Sequence, residues 1–305
     1  MIEHPSDRAR ELLHGAFDTH VHIAPDVVPR KIDDISLARR FEQLGMAGFV
    51  LKSHYTSTAE RASVVREAVP GVEVLGAISL NRAVGGMNPL AVEVAAREGA
   101  RTVWLPTVDS VNEATERELP AQANPPVWVK LQLELREQGI EIEPVPVVDD
   151  NGALLPETRE VLAMIARHGM LLATGHLARD EIFAVVDGAL DAGVREVVIT
   201  HPEFSSQNIE PADQRALADR GALLERCFTT PHTGKVSWER WLENIRAAGP
   251  KRSVLSTDLG QVFNPPVEDG LALMVDRLLE AGLDEEEVHT MGVVNTRRVA
   301  GADPL

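Results

Sequence analysis

Short runs of Val, Ile, Leu and Ala recur along the chain, each nearly continuous in apolar character and each followed by a longer stretch of helical period. Eight of these runs predict strands, over residues 16–22, 48–54, 73–79, 102–106, 170–176, 196–201, 222–227 and 253–258. Continuous apolar runs, rather than alternating ones, are what parallel strands buried on both faces require. The amphipathic stretches between them predict helices over 36–44, 58–68, 89–98, 157–168, 179–192 and 237–247. Gly45, Pro70, Gly99, Gly169, Gly193 and Pro250 punctuate the ends of these elements. Most strand-to-strand spacings are roughly thirty residues, the size of one βαβ unit. The stretch from strand four to strand five is about twice that unit. It holds Pro120, Pro125 and Pro126, then residues 140–148 and the turn Asp149-Asp150-Asn151-Gly152 between two short extended pieces.

Eight parallel strands with helices between them predict an α/β fold, a (β/α)8 TIM barrel forming one domain over 1–305, with an insertion between strands four and five. A doubly wound open sheet is the alternative, but no Gly-rich nucleotide loop follows strand one. In a barrel the C-terminal strand ends form the active-site mouth, and the histidines and acids fall there. Strand one closes with Asp18-Thr19-His20-Val21-His22, and a period of two points His20 and His22 to the same side. Strand two ends Leu51-Lys52-Ser53-His54, strand five Thr174-Gly175-His176, strand six Ile199-Thr200-His201 and strand eight Ser256-Thr257-Asp258. His20, His22, His176, His201 and Asp258 can therefore surround one cation, and zinc, manganese and iron all accept that donor set. Singly, a strand-end histidine is a structural hydrogen-bonder and a strand-end Asp is a helix cap. Five coincident placements at one end of the fold outweigh those readings, because buried strands do not tolerate polar ends without partners.

Charge narrows the partners. Among 305 residues, 30 Lys and Arg face 47 Asp and Glu, a net charge of −17. That balance argues against a nucleic-acid binder, whose affinity comes from cations on phosphates, and against anionic membrane surfaces. No apolar run approaches the roughly eighteen residues of a membrane span, and the polar opening Met1-Ile2-Glu3-His4-Pro5-Ser6-Asp7-Arg8 does not read as a secretory signal. One cysteine, Cys227, forms no internal disulfide, which fits a reducing cytoplasm. A small-molecule substrate is the remaining expectation.

HxH after strand one, single histidines after strands five and six, and Asp after strand eight resemble the amidohydrolase superfamily of metal-dependent hydrolases. Residues 291–301 look like that superfamily's closing helix, and the segments Val50-Leu51-Lys52-Ser53-His54, Gly85-Gly86-Met87-Asn88-Pro89 and Val103-Trp104-Leu105-Pro106-Thr107 resemble an uncharacterised branch of it. The resemblance implies that His20, His22 and Asp258 bind one metal, with Asp258 also moving protons. It implies that His176 and His201 bind a second metal in dinuclear members; in mononuclear ones His176 ligates while His201 polarises substrate or orients water. Similar enzymes also set the expectation of a homo-oligomer. A bound divalent ion lowers the pKa of its water from 15.7 to about 7, and a neighbouring carboxylate takes and returns the proton.

Strand four departs from the pattern: Val103-Trp104-Leu105-Pro106-Thr107 lacks the bridging Glu or carboxylated Lys of dinuclear members. Strand two offers a replacement in Lys52 and His54. Burial favours a neutral amine, which takes up carbon dioxide to give a carbamate able to bridge two ions. Alternatively Lys52 stays charged and anchors a substrate carboxylate or phosphate, or simply pairs with Asp18 or Asp26.

Weaker candidates are Glu225, costly to bury unless it faces the mouth, Trp104 and Tyr55 as pocket walls, and Arg30, Arg82 and Gln261 in loops after strands. His4, His14, His168, His232 and His289 lie away from strand ends, and Cys227 reads as a core residue. The expected activity is metal-dependent hydrolysis of an amide, cyclic amide, lactone or ester, with Asp258, His201 and Lys52 as catalytic residues and one or two ions, zinc first. Decarboxylation, phosphoester hydrolysis and a non-enzymatic binding barrel are the alternatives.

Overall fold

A computed structural model describes residues 4–117 and 127–303; Pro120, Pro125 and Pro126 lie outside the described residues. Its strands are β1 (Phe17–Val21), β2 (Gly48–Leu51), β3 (Glu73–Ser79), β4 (Ala100–Trp104), β5 (Leu171–Ala173), β6 (Val197–Ile199), β7 (Leu223–Cys227) and β8 (Ser253–Ser256). They pair in parallel in sequence order, β1 through β8. Sequential order excludes a doubly wound sheet, in which the order reverses at a switch point. The ring closes between the last strand and the first: Asp258 N donates to His20 O and His22 N to Leu259 O, both at 2.8 Å. Gly260 makes this seam possible. Its φ is +137°, and a Cβ there would lie 1.4 Å from the His22 carbonyl oxygen, so no side chain fits.

The strands end earlier than the apolar runs predict. β1 stops at Val21, β2 at Leu51, β5 at Ala173, β6 at Ile199 and β8 at Ser256. Beyond three of these ends the chain turns left-handed, at Gly175 (φ +65°), His201 (φ +22°) and Asp258 (φ +52°), conformations that leave a ladder. Of the predicted metal ligands only His20 lies within a strand. A register shift between Asp18 and Val21 lets both Phe17 and His20 face the barrel interior: Phe17 joins an inner cluster with Val50, Leu75, Trp104 and Ala173, and His20 lies against Trp104.

The inner cluster and a second one (Leu171, Val198, Leu223, Val254) fill the lower barrel, where Val299 and Ala300 of the closing helix pack against them. Outside, helices lay apolar faces on the strands. Asp34–Gln43, capped by Asp33, buries Leu37, Ala38 and Phe41 beside Phe49. Pro89–Arg97 starts on the Asn88 cap with proline at its first turn. Helices Asp7–Leu12, Pro211–Asp219 and Val267–Glu280 add to the outer ring beyond those the periodicity predicts.

Between β4 and β5 the insertion contains helices Val111–Arg117, Val127–Glu137 and Pro156–His168. Asp149 N donates to Ala153 O at 2.8 Å, closing the expected turn, with Gly152 left-handed at φ +79°. Residues 140–147 form no strand; Arg82 ties them down through Glu143 O (2.7 Å) and Pro144 O (2.6 Å). Among the described residues, no helix is long and apolar enough to cross a membrane.

Candidate metal centre and active-site cavity

At the C-terminal end of the barrel a cavity of about 390 Å³ is lined by His22, Lys52, His54, His176, His201 and Asp258, among others. His20, fully buried, lies behind the wall against the rings of His22 and His201. The imidazoles run as a chain of ring contacts: His54 to His22 at 4.8 Å between centroids, His22 to His20 at 5.3 Å, His20 to His201 at 6.0 Å and His201 to His176 at 4.9 Å. Asp258 Oδ1 lies 3.3 Å from both His20 Nε2 and His22 Nε2, and ligand atoms of these three residues all fall within 4.8 Å of one another. Thr229 Oγ1 donates to the other Asp258 oxygen at 3.0 Å.

What lies behind the rings fixes their faces. His20 Nδ1–H donates to Glu225 Oε1 (3.0 Å), and His176 Nδ1–H to Glu113 Oε1 (2.9 Å). His201 Nδ1–H donates to Gln207 Oε1 at 2.8 Å. The Gln207 amide cannot flip, because its Nε2 donates to Gly175 O (3.1 Å) and Thr200 O (3.0 Å). In the neutral rings of His176 and His201 this leaves Nε2 free of a proton, and all three rings have the outer partner by which metal-ligating histidines are oriented. His54 Nδ1 lies 2.8 Å from Thr107 Oγ1, which accepts from Asn81 Nδ2 at 2.7 Å.

Burial sets the titration of these groups. It holds His22 and His54 well below the usual imidazole range, lowers His176 and brings His201 down to about 3, so these rings are neutral at pH 7. Burial alone would raise the carboxyls, but the imidazoles around them win. His20 and His22 hold Asp258 well below the carboxylate range, and His20 brings Glu225 down to about 2.

Lys52 is buried with Nζ 2.9 Å from His20 Nε2 and 5.0 Å above the Trp104 ring. Burial pulls its pKa down against the attraction of Asp258 and Glu225. Neither carboxylate considered as its partner takes that role. Asp18 accepts from Thr257 N (3.0 Å) and Thr257 Oγ1 (2.5 Å), and Asp26 pairs with Arg30 at 2.7 Å.

Of the weaker candidates, Glu225 sits at the heart of the site, also accepting from His201 N at 3.1 Å and Ser256 Oγ at 3.0 Å. Arg30, Tyr55 and Gln261 line the cavity, and Arg30 Nη2 reaches within 3.4 Å of His22 Nδ1. Trp104 lies beneath His20. Arg82 is spent on the insertion, His168 on Glu93 (2.7 Å), and His232 stacks on Phe228 at 4.8 Å. Cys227 is buried 3.8 Å from His20 Nδ1, its thiol pushed up by burial.

Sequence reasoning passed over Glu113, Gln207, Thr107 and Asn81. Only Glu113 carried a signal: Ser110-x-x-Glu113 is a capping pattern, and Glu113 N indeed donates to Ser110 Oγ at 3.1 Å.

A family model described as a family of unknown function (DUF6282) matches residues 15–225. The chain belongs to that family. No curated protein matches the sequence. Among solved structures, this DUF6282 chain is similar to an amidohydrolase from Pseudomonas aeruginosa, with 14% identity, 96% of this chain and 99% of that one covered, and a TM-score of 0.61. It is similar to a putative 2-pyrone-4,6-dicarboxylic acid hydrolase from Pseudomonas putida at 16% identity, 96% and 99% coverage and a TM-score of 0.58. An amidohydrolase from Burkholderia multivorans with bound zinc matches at 12% identity, 94% and 99% coverage and a TM-score of 0.55. At these identities the likeness is one of fold: the DUF6282 chain has the barrel of the amidohydrolases.

Proposed function

We propose that this protein is a metal-dependent hydrolase that cleaves an amide, cyclic amide, lactone or ester bond of a small molecule. The observation that carries the reading is the convergence of His20, His22 and Asp258 on one point of the cavity, with Glu225 fixing the His20 ring from behind. Unprotonated imidazole nitrogens and a carboxylate oxygen are a donor set that suits zinc, manganese or iron. His176 and His201, held by Glu113 and Gln207, complete the group. A divalent ion bound there supplies a Lewis acid and a water of lowered pKa.

The chain's own residues supply the rest. Asp258 is ionised at neutral pH, and Thr229 restrains one of its oxygens; it takes a proton from the attacking water and returns it to the leaving group. His201, with Nε2 unprotonated, orients that water. Trp128 and Phe204 wall the cavity and keep bulk water from the reacting atoms. Lys52 Nζ meets the His20 nitrogen that the ion would use, so an ammonium there competes with that ion, a neutral amine tolerates it, and a carbamate supports a second.

Elemental analysis of the purified protein tests the reading, with one or two equivalents of a divalent metal expected. One equivalent with an unmodified chain mass leaves Lys52 an amine; two, with the added mass of one carbon dioxide in a native spectrum, make it the bridge. Asp258→Asn should stay folded and lose turnover on a panel of esters, lactones and amides. Folded wild-type protein that neither contains nor takes up metal overturns the reading.

A further inference from the structure

The charge around the cavity runs against the charge of the chain. The sequence carries 47 acidic and 30 basic residues, yet the cavity wall presents Arg30, Lys52, Lys130 and Lys235 against the one carboxylate of Asp258. These cations differ in what they face. Arg30 is paired with Asp26 at 2.7 Å, and Lys52 lies deep against His20. Lys130 is exposed, on the insertion helix Val127–Glu137.

Lys235 is unlike them. It is half-buried, in the segment that follows β7, and Lys235 N donates to Thr230 O at 3.0 Å to close the turn that carries it. Its Nζ sits 5.2 Å above the centroid of Phe204. Phe204 in turn contacts the rings of His201 at 5.0 Å and His176 at 5.8 Å. The ammonium therefore stands one aromatic ring away from two of the candidate ligands. Among the described residues Lys235 forms no ion pair, and burial draws its pKa down against the attraction of Glu113 and Asp258. An ammonium partly withdrawn from water without a counter-ion is costly, and an anion entering the cavity removes that cost. Beside Lys235 the wall carries aromatic surface, Trp128 and Phe204 inside and Phe263 at the rim, 69% exposed, while Thr230, Thr233, Gln261 and Asn264 add polar groups elsewhere.

We propose that the cavity selects a small substrate bearing a carboxylate beside an apolar body, and that Lys235 holds that carboxylate while Phe204, Trp128 and Phe263 cover the body. Lys235 is then a specificity residue, and Lys130 at the rim adds attraction during approach. The bond to be broken rests on the hydrolase reading above; the binding preference does not.

Calorimetric titration of the metal-loaded protein with 3-phenylpropionate and with 3-phenylpropanol, which share a body and differ in charge, tests the proposal. The acid should bind about ten-fold or more tighter than the alcohol, as expected for a charge-assisted contact. Lys235→Met should abolish that preference with metal content unchanged, and Lys235→Arg should restore most of it. A preference that survives Lys235→Met would come from the metal or Arg30 and overturns the proposal, as do equal affinities in the wild type. Tighter binding of phenyl phosphate than of 3-phenylpropionate overturns the carboxylate assignment. If Lys235→Met misfolds, Lys235→Gln, which keeps the length and loses the charge, gives the same decision. Wild-type protein that takes up no metal at all yet still prefers the acid through Lys235 would overturn the hydrolase reading and leave this one standing.

Discussion

Strand β7 buries opposite charges on adjacent residues that face opposite ways. Glu225 points into the barrel, where it accepts from His20 Nδ1, His201 N and Ser256 Oγ. Arg226 points outward toward the helices Pro211–Asp219 and Trp238–Ala248. There it pairs with Glu203 and donates to Gln214 Oε1 (2.6 Å), Asn244 O (3.2 Å) and Ser253 Oγ (3.2 Å). Both side chains are withdrawn from solvent, at 2% and 0% exposure. The outer group spends its donors on groups packed around it and leads nowhere. The inner one holds the His20 ring, whose other nitrogen meets Lys52 and Asp258, both of which line the cavity. A buried charge is thus poor evidence of a site by itself; one whose partners open onto a cavity is good evidence.

The largest expected effect breaks the outer group. Arg226→Met leaves Glu203 buried and uncompensated, and should cost about 3–5 kcal/mol in urea unfolding while the folded fraction keeps its metal. A loss below about 1 kcal/mol, or a matching loss of metal, would erase the contrast between the two sides of β7.

Glu225→Gln should do the reverse. The amide oxygen still accepts from His20 but without charge, so metal affinity should fall about 10–100-fold, with a smaller loss of stability than Arg226→Met shows. Competition against a chromogenic chelator reads the first quantity and urea unfolding the second. Unchanged affinity would remove Glu225 from the metal centre.

The smallest effect is a slope with pH. Burial lowers the pKa of His22, His54, His176 and His201, the last to about 3. In the unfolded chain the same rings protonate near 6.5. Between those limits the unfolded state binds more protons, so the stability of metal-free protein rises with pH through the window and levels off above about 6.5. Each ring contributes at most about 1.4 kcal/mol per pH unit. His201→Asn should make the fall from pH 6.5 to 5 shallower in thermal unfolding; an identical slope in the variant would mean that the ring is protonated in the fold.

The barrel was legible because its strands are continuous apolar runs at βαβ spacing, and because those runs end in residues that an apolar core would reject. His20, His22, Lys52, His54, His176, His201 and Asp258 were legible for that reason alone. The helices that periodicity missed had reasons of their own. Val267–Glu280 is buried on nearly all sides from Gly270 to Asp276, so it shows no polar face to mark its turn. Val127–Glu137 reads Val-Trp-Val-Lys-Leu-Gln-Leu-Glu-Leu, an alternation that suits a strand better. The residues that orient the rings were hidden more deeply. Gln207 reaches His201 from six positions onward in a loop, and Glu113 reaches His176 across 63 residues, distances at which only the closed fold makes neighbours.

His201 and Asp258 hold left-handed backbone, at φ +22° and +52°. For a residue with a side chain that conformation costs roughly 1 kcal/mol, and for glycine almost nothing. At both positions glycine would relieve that backbone cost. If those two side chains serve the proposed chemistry, a barrel released from it should accept glycine at 201 and 258 and stay folded.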